Sequence, residues 1–217
     1  MSVRTLLLFH RGARAVKFIP ENTLASFDRA LDDGCDGFEF DVRLSADGIA
    51  VVRHDAAVGG IEIKEAAAGE LKPLPRLSEV IERYRDTAFL DIELKVAGLE
   101  KTTLELLRRR LPRRGFVVSS FLPELLRTLH AEDSAIPLGL ICETKAQLER
   151  WRELPVEYVS LHQKLLRKDL LSEINRAGRK LLVWTVNRPE DMRCFAEWGV
   201  DGIISDDTKL LCETFGR

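Results

Sequence analysis

The segment Gly37 to Asp55, GFEFDVRLSADGIAVVRHD, holds two carboxylates and an imidazole within one short span. Glu39 and Asp41 stand two residues apart in a β-prone run. Side chains along a strand alternate faces, so both carboxylates point the same way. Phe38, Phe40 and Val42 point the other way, into packing. The Asp47-Gly48 pair favours a tight reversal. The apolar run Ile49 to Val52 then returns towards His54. The link is too short for a parallel crossover, so a hairpin is predicted. If Leu44 pairs near Ile49, the same count brings His54 beside Glu39. A solvated antiparallel ribbon without function is the alternative for this stretch taken alone.

Other polar residues follow apolar runs elsewhere. His10-Arg11 ends the first run, Glu93 and Lys95 a later one, and His162 another. Trp184 and Asn187 lie at the penultimate run, and Asp206-Asp207 follows the last. Glu39, Asp41 and Glu93 offer only oxygen ligands, which suits Mg²⁺, Ca²⁺ or Mn²⁺ rather than zinc. Three carboxylates at one mouth repel one another, which a cation relieves. Arg11 and Lys95 add fixed positive charge suited to a phosphate. His10 and His54 can act as general acid and general base near neutral pH. Cleavage of a phosphodiester uses all these parts. A plain Glu93–Lys95 ion pair and a core role for Trp184 are the structural alternatives.

The elements that must position these groups alternate. Val3 to Phe9 is a continuous apolar run, as in a strand buried on both faces. A helix with Leu24, Phe27 and Leu31 on one side follows, with Asn22 as its expected cap and Gly34 as its stop. After the hairpin, residues 56–75 form a loop-rich excursion with a helix-like piece near Glu65 to Leu71. Ser78 is expected to cap a helix to Tyr84. A strand from Ala88 to Lys95 and a helix carrying Leu104, Leu107 and Leu111 come next. Four more strands are expected, at Phe116–Phe121, Pro137–Cys142, Tyr158–Leu161 and Lys180–Val186, each followed by a helix. A last strand, Val200–Ser205, and a last helix, Lys209–Phe215, close the chain. Setting the hairpin arm aside leaves eight parallel strands, the number that closes a barrel. The expectation is one α/β domain over residues 1–217, a (β/α)8 barrel with a β-hairpin excursion after the second strand. An open doubly wound sheet is the alternative, weakened because no GxGxxG or Walker sequence follows any strand.

Composition sets bounds. A formal net charge of −2 gives no reason to expect nucleic acid or an anionic membrane as partner. Cys35, Cys142, Cys194 and Cys212 lie far apart and form no CxxC, which suits a reducing cytosol. Leu6 to Phe9 is too short for a signal core or a membrane span. The expected location is therefore the cytoplasm, with no stable membrane association.

The segments His10-Arg11-Gly12, Pro20-Glu21-Asn22-Thr23, Glu39-x-Asp41-Val42, Val51-Val52-Arg53-His54-Asp55 and Ile92-Glu93-Leu94-Lys95 occur in this order. Ser120-Phe121, Val183 to Asn187 and Gly199 to Asp206 follow. Together they make the chain resemble the glycerophosphodiester phosphodiesterases of the PLC-like phosphodiesterase superfamily. The resemblance implies a TIM barrel and a divalent metal on Glu39, Asp41 and Glu93. It also implies His10 and His54 as the acid/base pair, with Arg11 and Lys95 on the phosphate. The implied reaction is hydrolysis of a small glycerophosphodiester to sn-glycerol 3-phosphate and an alcohol. Two departures stand out. Ser205-Asp206-Asp207-Thr208 replaces the family's usual Thr-Asp-x-Pro, and the segment after His54 is shorter than in many relatives. A lysophospholipase D acting on a larger lipid and a non-catalytic phosphate-binding barrel are the alternatives.

Overall fold

A computed structural model describes residues 4–12, 18–71 and 74–217. The elements run β1 (Leu6–His10), α1 (Leu24–Asp32), β2 (Gly37–Leu44), β3 (Ala50–Val52), β4 (Ala57–Val58) and β5 (Ile61–Glu62). Then come α2 (Leu77–Tyr84), β6 (Phe89–Leu94), α3 (Glu100–Arg109), β7 (Phe116–Ser120), α4 (Pro123–Glu132), β8 (Leu138–Cys142) and α5 (Lys145–Glu149). The last are β9 (Tyr158–His162), α6 (Lys168–Arg176), β10 (Lys180–Trp184), α7 (Pro189–Trp198), β11 (Gly202–Ser205) and α8 (Thr208–Thr214). Strands β1, β2, β6, β7, β8, β9, β10 and β11 pair in parallel in that order. β1 pairs with both β2 and β11, so the sheet closes into the expected eight-stranded barrel. β3 lies antiparallel against the end of β2.

The β alternation divides the apolar residues between two layers. Phe38 and Phe40 point outward from β2 and pack under α1 and α2. The Phe27 and Phe38 rings stack at 4.2 Å, and Tyr84 meets Phe38 edge-on at 5.1 Å. Inside the barrel, Leu8, Phe89, Val117, Tyr158, Leu182 and Ile204 pack together. This plug leaves the strands' C-terminal ends as the open end, the working face of such barrels.

The hairpin register differs from expectation by one residue. Leu44 pairs with Ala50, Arg43 with Val51 and Val42 with Val52. Ser45 accounts for the shift. Its N–H donates to the Ile49 carbonyl at 3.0 Å, and its hydroxyl oxygen accepts from the Ile49 N–H at 3.1 Å. That leaves a three-residue turn ending at Gly48, whose φ of +77° is left-handed. The N–H of Arg53, not His54, therefore meets the Asp41 carbonyl, at 2.9 Å.

Other boundaries moved for local reasons. Thr23, not Asn22, caps α1: its hydroxyl accepts from the Ser26 N–H at 3.2 Å. α2 begins before Ser78, where the Glu79 carboxylate accepts from the Arg76 N–H at 2.8 Å. Leu111 lies outside α3 and is exposed, because Pro112 disfavours helical backbone at the residue before it. The excursion holds the small β4–β5 hairpin and a 3₁₀ turn at Ile63–Glu65 in place of the helical piece. Val3 of the first expected strand lies outside the described residues.

Candidate active site

The barrel's C-terminal end holds a cavity of about 280 Å³. His10, Arg11, Glu39, His54, Glu93, Lys95 and Trp184 all line it. Asp41 sits just beneath, fully buried. The eight residues His10, Arg11, Glu39, Asp41, His54, Glu93, Lys95 and Trp184 therefore converge, although they come from β1, β2, β6, β10 and three adjoining loops.

Register explains the carboxylate cluster. In the β2–β6 pairing, Asp41 stands opposite Glu93 and Glu39 opposite Asp91. Glu39, Asp41 and Glu93 are buried and offer oxygens lying within 4.8 Å of one another. Arg11 Nε approaches Asp41 Oδ2 at 3.3 Å. Lys95 Nζ reaches Glu93 Oε1 at 2.6 Å and Asp41 Oδ1 at 3.1 Å. The Glu93–Lys95 pair is thus one edge of a larger charge network, not an isolated surface bridge.

Electrostatics separate the three acids. Burial, reinforced by Asp41 and Glu93, pushes the Glu39 carboxyl well above its ordinary range. Burial raises Glu93 to about 7 against the opposing pull of Lys95. Burial also acts to raise Asp41, but Lys95, Arg11 and the Asn22 hydrogen bond outweigh it and hold that carboxyl low. Glu39 Oε1 is buried without a hydrogen-bond partner, and Asp41 Oδ1 meets the Lys95 ammonium. A buried, unpartnered Glu39 oxygen beside the Asp41 and Glu93 carboxylates makes an all-oxygen donor set, the kind a hard divalent cation takes. The residues therefore fit the expected metal.

The histidines occupy opposite flanks. His10 Nε2 lies 3.9 Å from Glu39 Oε2, while its Nδ1 contacts Asp206 Oδ1 at 2.7 Å. An ionised carboxylate can only accept, so Nδ1 carries the proton and Nε2 the lone pair of the neutral ring. Asp206 is itself held by Asn187. The Asn187 Nδ2 donates to Asp206 Oδ2 at 2.8 Å, and Asn187 Oδ1 accepts from the Asp206 N–H at 2.9 Å. His54 makes a shorter chain, with Nδ1 2.9 Å from Asp55 Oδ1. Its side chain is about one-third exposed.

Three contributors were not assigned from sequence. Asn22 is buried, donates from Nδ2 to Asp41 Oδ2 at 2.8 Å and accepts the Asp41 N–H at 3.2 Å. Its left-handed backbone, φ +57°, turns it inward to do so. Asp206 is the second, visible beforehand only as an acid after the last strand. The third is Asp91, raised to about 7 by burial although the Ser119 hydroxyl donates to it at 2.5 Å. Two residues before Glu93 on β6, it shares that residue's strand face. Trp184 forms cavity wall rather than core filler, its indole Nε1 donating to the Ser160 carbonyl at 3.2 Å.

The His10–Asp206–Asn187 chain yields a measurable expectation. Asp206→Asn offers an amide in place of an obligate acceptor, so the imidazole can settle in the wrong tautomer. We expect kcat to fall by about 10²-fold with KM little changed. A proportional loss of folded protein, seen by circular dichroism, would instead mark Asp206 as structural.

Comparison with known proteins agrees with this geometry. A model of the glycerophosphoryl diester phosphodiesterase family matches residues 10–89 and 62–210. The chain is 34% identical to a glycerophosphodiester phosphodiesterase of Caldanaerobacter subterraneus subsp. tengcongensis, over 96% of this chain and 97% of that one. Among solved structures it resembles a phosphodiesterase of Oleispira antarctica bound to the product sn-glycerol-3-phosphate. That likeness has a TM-score of 0.86 and 28% identity, over 99% of this chain and 98% of the other. A glycerophosphodiester phosphodiesterase of Thermotoga maritima superposes with a TM-score of 0.84 at 28% identity, covering 97% and 98%.

Proposed function

The chain belongs to the glycerophosphoryl diester phosphodiesterase family, and we propose that it hydrolyses small glycerophosphodiesters to sn-glycerol 3-phosphate and an alcohol. Glu39, Asp41 and Glu93 hold the divalent cation, Mg²⁺, Ca²⁺ or Mn²⁺. The observation that carries this reading is the buried cluster of three carboxylates, with Glu39 Oε1 unpartnered, at a cavity lined by two histidines. A barrel that only bound phosphate would have no use for that flanking pair.

Bound there, the cation supplies Lewis-acid polarisation of the phosphate. The chain's own groups do the rest. Arg11 and Lys95 pair with the non-bridging oxygens and offset charge that grows in the transition state. His10, with its lone pair on Nε2, accepts the proton of the attacking hydroxyl, either from water, which gives the monoester directly, or from the substrate's own glycerol, which gives a cyclic phosphodiester that water then opens to sn-glycerol 3-phosphate. His54 donates a proton to the departing alkoxide as its bond to phosphorus breaks. Trp184 forms part of the substrate wall.

Among the described residues no helix is long and apolar enough to cross a membrane. The four cysteines form no CxxC and lie far apart in sequence, which suits a reducing compartment, and we place the protein in the cytoplasm. A second reading, a lysophospholipase D acting on a larger lipid, draws on apolar side chains beside the mouth. Phe18 and Leu122 are exposed on loops that follow β1 and β7, and Ile61 is exposed on β5.

Release of glycerol 3-phosphate from glycerophosphocholine and glycerophosphoethanolamine tests the first reading. Activity should vanish in EDTA and return with Mg²⁺, Ca²⁺ or Mn²⁺. A folded, metal-loaded sample that cleaves lysophosphatidylcholine but neither small diester would establish the second. Inertness towards all three would leave a binding barrel.

A further inference from the structure

Eight strand ends surround the cavity, and they fall into two unlike arcs. β11, β1, β2 and β6, with the segment after β3, carry His10, His54, the cations and the three carboxylates. β7, β8, β9 and β10 carry something else. On these four neighbours, strand alternation turns one residue per strand towards the mouth: Phe121, Glu143, His162 and Trp184. Phe121, Glu143 and Trp184 line the cavity directly. Ile141 and Ser160, also cavity residues, pair across β8 and β9, and Glu143 and His162 stand two places beyond them. The Phe121 and His162 rings both meet Trp184 at right angles, at 6.1 and 5.1 Å between centroids. Three rings thus cluster on the β7–β10 side of the mouth, where the Phe121 ring also has the Lys95 ammonium 5.7 Å from its centroid.

Glu143 is the odd member of this arc. Glu39 and Glu93 belong to the metal set, and Asp91 takes the Ser119 hydroxyl. Among the described cavity residues Glu143 is the one carboxylate outside those groups. Its own backbone N–H is bound to Gln147 Oε1 at 2.9 Å, which fixes where the strand end delivers it. A neutral or anionic alcohol has no use for a carboxylate there. Aromatic faces beside a carboxylate are the chemistry that receives an ammonium or quaternary ammonium group.

We propose that Phe121, Glu143 and Trp184 form a subsite for the cationic headgroup of an amino-alcohol diester. The proposal rests on the diesterase reading and deepens it. The phosphate then lies on the Arg11 and Lys95 side while the headgroup's positive charge faces Glu143. A zwitterionic diester matches both arcs, whereas a diester of a neutral alcohol matches only one.

The test compares kcat/KM for glycerophosphocholine and for glycerophosphoglycerol, whose alcohol is uncharged, in the wild type and in Glu143→Gln. The ratio of the two should favour the cationic substrate in the wild type and fall about fivefold in the variant, through KM. Tetramethylammonium chloride should inhibit the wild type competitively, with a higher inhibition constant in the variant and in Trp184→Leu. An unchanged ratio together with unchanged inhibition would overturn the subsite. Absence of turnover with both substrates in the metal-loaded wild type would overturn the diesterase reading instead, and tetramethylammonium binding by calorimetry would then judge the subsite alone.

Discussion

Replacing His54 with alanine is expected to lower kcat by about 10² to 10⁴-fold, the usual contribution of a positioned general acid. The fold should survive almost unchanged. The His54 side chain is about one-third exposed and pairs with the neighbouring Asp55. The tie that anchors this residue runs through its backbone: Arg43 Nε donates to the His54 carbonyl at 2.7 Å, a bond that alanine retains. Surface truncations of this kind change stability by about 0.5 kcal/mol. The informative comparison uses diesters with progressively better leaving groups. A variant lacking the acid should recover most on the substrate whose alkoxide least needs a proton. Near-normal turnover on glycerophosphocholine would remove His54 from the chemistry, and equal losses on every leaving group would remove it from the acid's role.

The second large effect concerns metal and pH together. Burial raises Glu93 and Asp91 to about 7, and raises Glu39 well above its ordinary value. Without metal, the folded state therefore holds protons that the unfolded chain releases near pH 4 to 4.5. Stability must then fall as pH rises from about 4.5 to about 7, because the folded state is the more protonated one in that window. Asp41 acts in the opposite sense. Its carboxyl is depressed, so its contribution is present above the ordinary carboxylate range and is lost in more acid solution. A divalent cation replaces the protons with a charge that does not titrate away. Melting curves in EDTA should shift down across this window, by roughly 2 to 4 °C for each kcal/mol lost. In saturating Mg²⁺, Ca²⁺ or Mn²⁺ the shift should largely disappear. Parallel curves with and without cation would show that these carboxylates do not hold it. Glu39→Gln sharpens the test: it removes one buried repulsion, so the metal-free protein should melt higher while activity is lost.

Much of this site was legible because its key spacings are local. Glu39 and Asp41, and likewise Glu93 and Lys95, share a strand face by alternation alone. A run of apolar residues ending in a polar one marks each strand's C-terminal end. Asn22 misled for a related reason. An Asn beside a Thr just before an amphipathic run is a good cap by composition, yet only one of the two can cap. Thr23 took that role, and the left-handed backbone at position 22 freed its neighbour to reach Asp41. The hairpin shift had the same origin, a hydroxyl at Ser45 closing the turn one step earlier than the apolar pattern suggested.

What the amino-acid sequence determined by itself was therefore the order of the elements, the inward face of each strand and the set of carboxylates proposed as oxygen ligands. Period and burial are properties of a short window, and a window is all they need. What only the tertiary structure decided was which faces meet. Asp206 lies 196 residues from His10 and touches it because β1 pairs with β11 when the sheet closes. Phe121 and Trp184 become ring neighbours across two intervening strands because the closed sheet curves round the cavity. Such proximities follow from strand number and closure, which depend on burying the whole sheet at once, and no local pattern encodes them.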